Sequence, residues 1–581
     1  MKRFYLLLVL SLVVLGLACG GETSPDGRDE PVAGGDKADD VYGECPVRQV
    51  VAWVNDPEVS AEVLQAAGVH SRAARNIAAH RDGADGLAGT EDDDYFDDVQ
   101  ELDDVYYVGP RAMEQLVAAV EHRCAVSPGA DVIFSPQYYS QSHLARMAGL
   151  IDSASRSLDV AMYSFSDHGL LDALERAVRR GVSVRFIFNT AAEDRKDPAG
   201  TFSAALEDLG IDVRYVNKIM HHKFAIVDGP REDTESAFSA TLATGSGNWS
   251  HSAGTRYDEN TVFVTGSGEL LLRFQQEFNL LWDNSRDFVW ADGLQWFSSK
   301  TILAGMIPDG PALDAAYTSD NFTVRNTSYG PTFTIVRGRD TVAERLVELI
   351  ASARQSLHLA SGHLRSRPVA EALLAAWQKN PHLDIRIYLD QQEFISEWYQ
   401  SEQDRELADC LEAAGDSLSR QQDCYDRGYY FSYRMVEAGI PVRFKSYCYR
   451  WDYHYAKQMH HKYLIVDGRV LASGSYNLSD NAEHNTIENM VFYDRALFPE
   501  LVDAFEQNFA GIWETGRADG VLEELLHIID DTGDPIPIVF DAVALDWQQL
   551  DDLKRRIRQA CPAINSDDYR NNPEDHTVCE R

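Results

Sequence analysis

Met220-His221-His222-Lys223-Phe224-Ala225-Ile226-Val227-Asp228-Gly229 and Met459-His460-His461-Lys462-Tyr463-Leu464-Ile465-Val466-Asp467-Gly468 are two copies of one ten-residue pattern in a chain of 581 residues. In an extended strand, side chains two apart share a face, so each copy sets an imidazole beside an ammonium at a strand end. That pair suits a phosphate: lysine supplies charge, and histidine can attack or move a proton. His222 and His461 point the other way and are read as structural. Working outward, Gly245-Ser246-Gly247-Asn248 follows the first copy, with Glu259 and Asn260 eleven and twelve residues past Asn248. Gly474-Ser475-Tyr476-Asn477 follows the second, with Glu488 and Asn489 at the same offsets. Upstream, Leu150-Ile151-Asp152-Ser153-Ala154 parallels Leu349-Ile350-Ala351-Ser352-Ala353. Residues 133–285 and 332–515 therefore read as a duplicated domain. One half-site per repeat implies a single shared site.

The pattern around each copy is α/β. Leu158 to Met162, Val182 to Phe188 and Val213 to Tyr215 read as strands, with amphipathic helices over 170–178 and 202–209 that stop before Gly181 and Gly210. The second repeat follows with strands over 357–360, 385–389 and 442–447 and a helix over 368–377. Such alternation predicts a largely parallel or mixed sheet covered on both faces, with the paired histidines at strand ends facing the partner repeat.

With both copies on the page, the chain resembles the phospholipase D superfamily, whose H-x-K-x4-D motif occurs twice per active site, each followed by G-S-x-N and a Glu. The resemblance implies two similar α/β repeats packed around one shared active site. It covers about 380 residues and leaves the first 130 or so and the last 65 outside. The first copy carries roughly ten extra residues around 230–240, read as an acidic surface loop, and the second half an insertion of about forty between Asp390 and Met435.

Phosphodiester hydrolysis needs a nucleophile at phosphorus, an acid for the leaving alcohol and cations for the equatorial oxygens. By resemblance, one histidine attacks to give a phosphohistidine while the other protonates the leaving group; His221 is assigned as nucleophile and His460 as acid. Lys223, Lys462, Asn248 and Asn477 would hold phosphate oxygens, with Ser246 and Ser475 close by. Glu259 and Glu488 match the family carboxylates that fix the histidine tautomers. Asp228 and Asp467 complete the motifs and are expected to anchor strand and turn. His251, His363, His454 and His484 have no comparable support. No Cys or His cluster has zinc spacing, and the family mechanism needs no metal or other cofactor.

At the N-terminus, Lys2 and Arg3 precede an apolar run over 4–17 that ends at Ala18-Cys19-Gly20, the layout of a secretory signal over 1–19. Cys19 after a small residue points to a lipoprotein cleavage and lipidation site; a plain secretory signal and an uncleaved anchor are the alternatives. Residues 20–44 read as a disordered tether rich in Gly, Asp, Glu and Pro. The expected product is exported, either lipid-anchored to the cell envelope or secreted. The seven other cysteines fit that compartment, with proximity pairing Cys45 to Cys124, Cys410 to Cys424 and Cys561 to Cys579, and Cys448 left over.

With 53 Lys and Arg against 92 Asp and Glu, the net charge is −39. A surface so acidic repels nucleic acid and anionic membranes, although Arg179, Arg180, Arg185 and the motif lysines could form a local basic cleft. Against this, residues 63–77 and 105–116 look like two helix-hairpin-helix units, a module that grips DNA backbone through helix N-termini, in a small helical domain over 45–125. Each unit lacks one of the two glycines such a module usually has, and His70 and Tyr107 occupy those places. The acidic stretch 82–94 reads as a solvated turn, with Ca²⁺ as the less favoured alternative. Aromatic residues before His460 (Tyr447, Tyr449, Trp451, Tyr453, Tyr455) and in the insertion (Phe394, Trp398, Tyr399) could seat acyl chains, stack bases or simply pack. The leading reading is a monomeric phosphodiesterase acting on a phospholipid at a membrane surface, with no obligate protein partner. The alternatives are a nuclease of the same superfamily, a phosphatidyl transferase resembling cardiolipin synthases, and a non-catalytic binding protein.

Overall fold

A computed structural model describes residues 41–289, 300–308, 310, 313–531 and 533–580. The signal segment, Cys19 and the tether up to residue 40 lie outside the described residues.

Two eight-stranded mixed sheets repeat one another strand for strand. The first runs Gly129–Ser135, Glu259–Thr265, Thr241–Gly245, Lys223–Val227, Ser157–Met162, Ser183–Phe188, Asp212–Tyr215 and Arg286–Asp287. The second runs Leu313–Tyr317, Asn489–Asp494, Val470–Gly474, Lys462–Val466, Ser356–Ser361, Asp384–Asp390, Val442–Cys448 and Val539–Asp546. In each, three strands are parallel and the motif strand enters antiparallel beside them. All residues of Ser157–Met162 and Lys223–Val227 are buried, as strands covered on both faces must be. The edges come from outside the duplicated ranges: Leu313–Tyr317 precedes residue 332, and Val539–Asp546 belongs to the C-terminal extension.

The repeats meet across an aromatic core. Phe224 packs on Phe274 with ring centroids 5.0 Å apart, and Phe274 on Tyr317 at 5.5 Å. From the other side, Tyr463 packs on Phe505 at 5.0 Å, and Phe505 on Phe134 of the first sheet at 4.9 Å.

Two sequence expectations are corrected here. The segment 230–240 is not simply a solvated loop: Glu232, Asp233 and Glu235 are exposed, but Arg231 turns inward, 4% exposed, and pairs with Asp159. Arg185 meets the same carboxylate at 2.6 Å from strand Ser183–Phe188. Burial alone would raise the Asp159 pKa, but the two guanidinium groups prevail and hold it well below the ordinary range. Arg185 is thus committed to the core, while Arg179 pairs with Glu175 and Arg180 with Asp152. These arginines form no basic cleft.

The insertion folds as helices Glu397–Ala414 and Leu418–Tyr425, joined by the Cys410–Cys424 disulfide. Cys45–Cys124 closes the N-terminal helical domain and Cys561–Cys579 the C-terminal extension; Cys448 is a buried free thiol. The N-terminal domain has two short helical hairpins. Gly68 turns the first at φ 101°, and Tyr107 adopts φ 76° in the second, a conformation ordinarily left to glycine. The domain docks on the first repeat through Arg123 and His122 to Glu235, and on the segment between the repeats through Asp56 and Glu58 to Lys300. In the acidic turn, Asp92 accepts from the Ala84 and Asp85 amides and from the Thr90 hydroxyl.

Candidate active site

Each motif strand begins where the repeats touch. The His221 amide donates to the Ile487 carbonyl at 2.9 Å and the His460 amide to the Asp258 carbonyl at 3.0 Å, so each histidine is fixed to the partner's backbone just before its Glu. The side chains then exchange. Nδ1 of His221 bonds Oε2 of Glu488 at 2.8 Å, and Nδ1 of His460 bonds Oε1 of Glu259 at 2.7 Å. The adjacent asparagines also cross over: Asn489 contacts His222 at 2.8 Å and Asn260 contacts His461 at 3.1 Å. His222 and His461 are fully buried, and His222 is held further by Glu277 at 2.8 Å.

His221 and His460 line one cavity of 390 Å³. A carboxylate on Nδ1 leaves Nε2 of each ring as the free nitrogen. Burial, together with Lys223 and Lys462, pushes both imidazoles well below their ordinary pKa. The lysines themselves fall to about 7 and about 8, again because they are buried. Glu259 and Glu488 rise to about 7 for the same reason, although the lysines oppose it. Each ammonium is held over its strand by the carbonyl two residues earlier, Lys223 to His221 at 2.6 Å and Lys462 to His460 at 2.8 Å. Asn248 lines the cavity, and the side-chain oxygens of Asn248 and Asn477 are buried without a partner. Unsatisfied polar atoms here are consistent with a site built for a polar ligand.

Ser246 and Ser475, expected beside the phosphate, are not among the residues that line the cavity. Both are fully buried, and their hydroxyls accept from the Asn260 and Asn489 amides at 2.9 and 3.0 Å. They tie down the backbone immediately after Glu259 and Glu488. Asp228 and Asp467 lie at the far end of the motif strands. Asp228 accepts from the Ser155, Arg156 and Ser157 amides, and Asp467 from those of Arg354, Gln355 and Ser356. Neither lines the cavity.

The repeats are not equivalent at the cavity wall. The Tyr163 ring lies 4.4 Å from His221 and 4.8 Å from the Lys223 ammonium. The corresponding residue after strand Ser356–Ser361 is Gly362, where a Cβ would come within 2.9 Å of the Met459 carbonyl. The His460 side chain is correspondingly 19% exposed against 9% for His221. Three lining groups have no signature in the motif spacing. His363 is held by buried Glu393 at 3.0 Å. Asp390 accepts from the Met459 amide at 2.9 Å. Tyr453, 68% exposed, stands at the cavity mouth. Of the flagged aromatics, Tyr447 is buried, whereas Trp398 and Tyr399 are exposed.

The duplicated fold and crossed His–Glu pairs define a two-repeat protein with one composite site. The family model for cardiolipin synthase, PLD-like domain, matches residues 147–282 and 346–513, more than half of the chain. The chain belongs to the phospholipase D-like family. It is 35% identical over 148 residues to the mitochondrial cardiolipin hydrolase of Danio rerio, covering 25% of this chain and 59% of that protein. It is 32% identical over 165 residues to that of Homo sapiens, covering 27% and 60%. The chain thus spans about three fifths of the length of these curated relatives. Among solved structures, phosphatidylserine synthase of Haemophilus influenzae Rd KW20 is similar over 66% of this chain and 86% of its own, at 13% identity and a TM-score of 0.41.

Proposed function

We propose that this chain is an exported phosphodiesterase that hydrolyses a phospholipid headgroup, or passes the phosphatidyl group to an alcohol, through a covalent phosphohistidine. The observation that carries it is the crossed pair His221–Glu488 and His460–Glu259 on one cavity beside two buried lysines. Nε2 of His221 attacks phosphorus, the P–O bond to the headgroup breaks, and His460 gives its proton to the departing oxygen. A water then loses its proton to His460 and displaces His221, restoring both rings. Lys223, Lys462, Asn248 and Asn477 hold the phosphate oxygens as charge shifts. The lysines favour a neutral nucleophile, while a bound phosphate anion opposes their field and supports the proton on His460.

Relatives named cardiolipin hydrolases support a lipid substrate; the charge of −39 disfavours polynucleotides and anionic membrane surfaces alike. The apolar run over 4–17 and the three disulfides support export, with Cys19 as the lipid attachment point. A nuclease is the second reading, favoured by the helical hairpins at Gly68 and Tyr107. The test offers phosphatidylcholine, phosphatidylglycerol, cardiolipin, single-stranded DNA and duplex DNA to the purified chain and to His221→Ala and His460→Ala. Lipid turnover lost in both variants is expected; cleavage of DNA alone would transfer the assignment to the second reading.

A further inference from the structure

A second cavity, of 490 Å³, adjoins the catalytic one, and Gln392 lines both. Its walls come from segments outside the two motifs: Tyr399 and Tyr430 from the inserted region, Arg450 after strand Val442–Cys448, and Lys554 and Arg558 from helix Trp547–Ala560. Three cations therefore converge in a chain of net charge −39, and no carboxylate is among the lining residues. Lys554 and Arg558 stand four apart on one helix face, a like-charge spacing that costs helix stability rather than adding to it. None of the three cations forms an ion pair among the described residues. The Lys554 ammonium donates to the Tyr449 carbonyl at 3.2 Å and lies 5.4 Å from that ring. Arg450 donates to the Ile564 carbonyl, and its Nε is buried with no partner. Burial and the neighbouring guanidinium groups push Lys554 down to about 8, a cost that a bound anion would offset.

We infer that this cavity is an anion subsite for the second phosphate of a lipid carrying two phosphodiester groups, one phosphate lying between His221 and His460 and the other reaching Arg450, Lys554 and Arg558. The substrate class rests on the phospholipid reading of the catalytic cavity. Arginine gives a phosphate a planar fork and lysine a point charge, and the surrounding tyrosines and Phe394 suit the glycerol and acyl stems that join the two groups.

The test is calorimetry of the purified chain with inorganic phosphate, glycerophosphoglycerol and bis(glycerophospho)glycerol, and with a dinucleotide carrying two phosphates. The same titrations follow for Arg558→Gln, whose side chain is exposed and whose fold is therefore safe, and for Lys554→Gln. The two-phosphate headgroup is expected to bind about tenfold more tightly than the one-phosphate headgroup, and each variant to erase most of that preference while leaving one-phosphate affinity within about twofold. The inference is overturned if the variants keep the preference, if they weaken all ligands equally, if inorganic phosphate accounts for the whole loss, or if the dinucleotide is the tighter ligand. Vesicle hydrolysis by the unaltered chain is a separate arm: its absence defeats the phospholipid reading, while the headgroup titrations still decide the subsite.

Discussion

Nδ1 of His221 and Oε2 of Glu488 are 2.8 Å apart although 267 residues separate them in the chain. The tautomer of the first repeat's histidine is therefore set by the second repeat, and the converse holds for His460 and Glu259. Glu488→Gln is expected to lower kcat by about 10²- to 10⁴-fold, the range seen when a carboxylate that orients a catalytic histidine is neutralised. Glu259→Gln should act on the acid instead. With a nitrophenyl phosphodiester, whose leaving group needs no proton, Glu259→Gln should keep its initial burst while Glu488→Gln loses it. Equal bursts in the two variants would contradict the division of roles.

Burial sets the alkaline limit of activity. Lys223 and Lys462 fall to about 7 and about 8, so their positive charge is lost as pH rises through that window. The phosphate grip should weaken with it: KM measured from pH 6 to 9 is expected to climb above pH 7. A KM that stays level across that range would show that the lysines remain charged.

His484 clamps the inserted region to the second repeat, with Nδ1 2.6 Å from Asp426 and Nε2 2.6 Å from Asp340. Burial opposes its charge, but the two carboxylates prevail and raise its pKa to about 10. Because the folded value lies above the ordinary 6.5, the stabilisation is fully present below pH 6.5 and fades as pH rises towards 10. His484→Gln should cost about 3 kcal/mol at pH 6 in urea unfolding and much less at pH 10. The same cost at both pH values would rule out a charged clamp.

The duplication was legible because the motif is local: His, Lys, Gly, Ser, Asn and Glu keep fixed offsets within a few strands of each other. Strand and helix positions followed from periodicity, and the three disulfides from proximity in the chain. What escaped were contacts between distant segments. Nothing near Glu488 says that it serves His221, and an acidic-looking loop concealed the Arg231–Asp159 pair. His363 takes the place that Ser164 holds in the first repeat, so no repeated residue type marks it or its partner Glu393. The edge strand Val539–Asp546 lies in the C-terminal extension, where no repeated motif marks it as part of the second sheet.

Asp228 belongs to the motif but sits at its structural end. Its φ is 53°, and its carboxylate gathers three consecutive amides. Asp228→Ala should therefore lower stability by about 2–3 kcal/mol while leaving kcat of the folded fraction within a few-fold. Loss of kcat at unchanged urea midpoint would place it in the chemistry instead.

The most direct test of the composite site is to acid-quench the chain during turnover of a short-chain phosphatidylglycerol and locate the phosphatidyl adduct by peptide mass spectrometry. The expected result is an adduct on the peptide containing His221, absent in His221→Ala and formed slowly in His460→Ala. Turnover that persists in His221→Ala, or an adduct confined to the peptide containing His460, would contradict it.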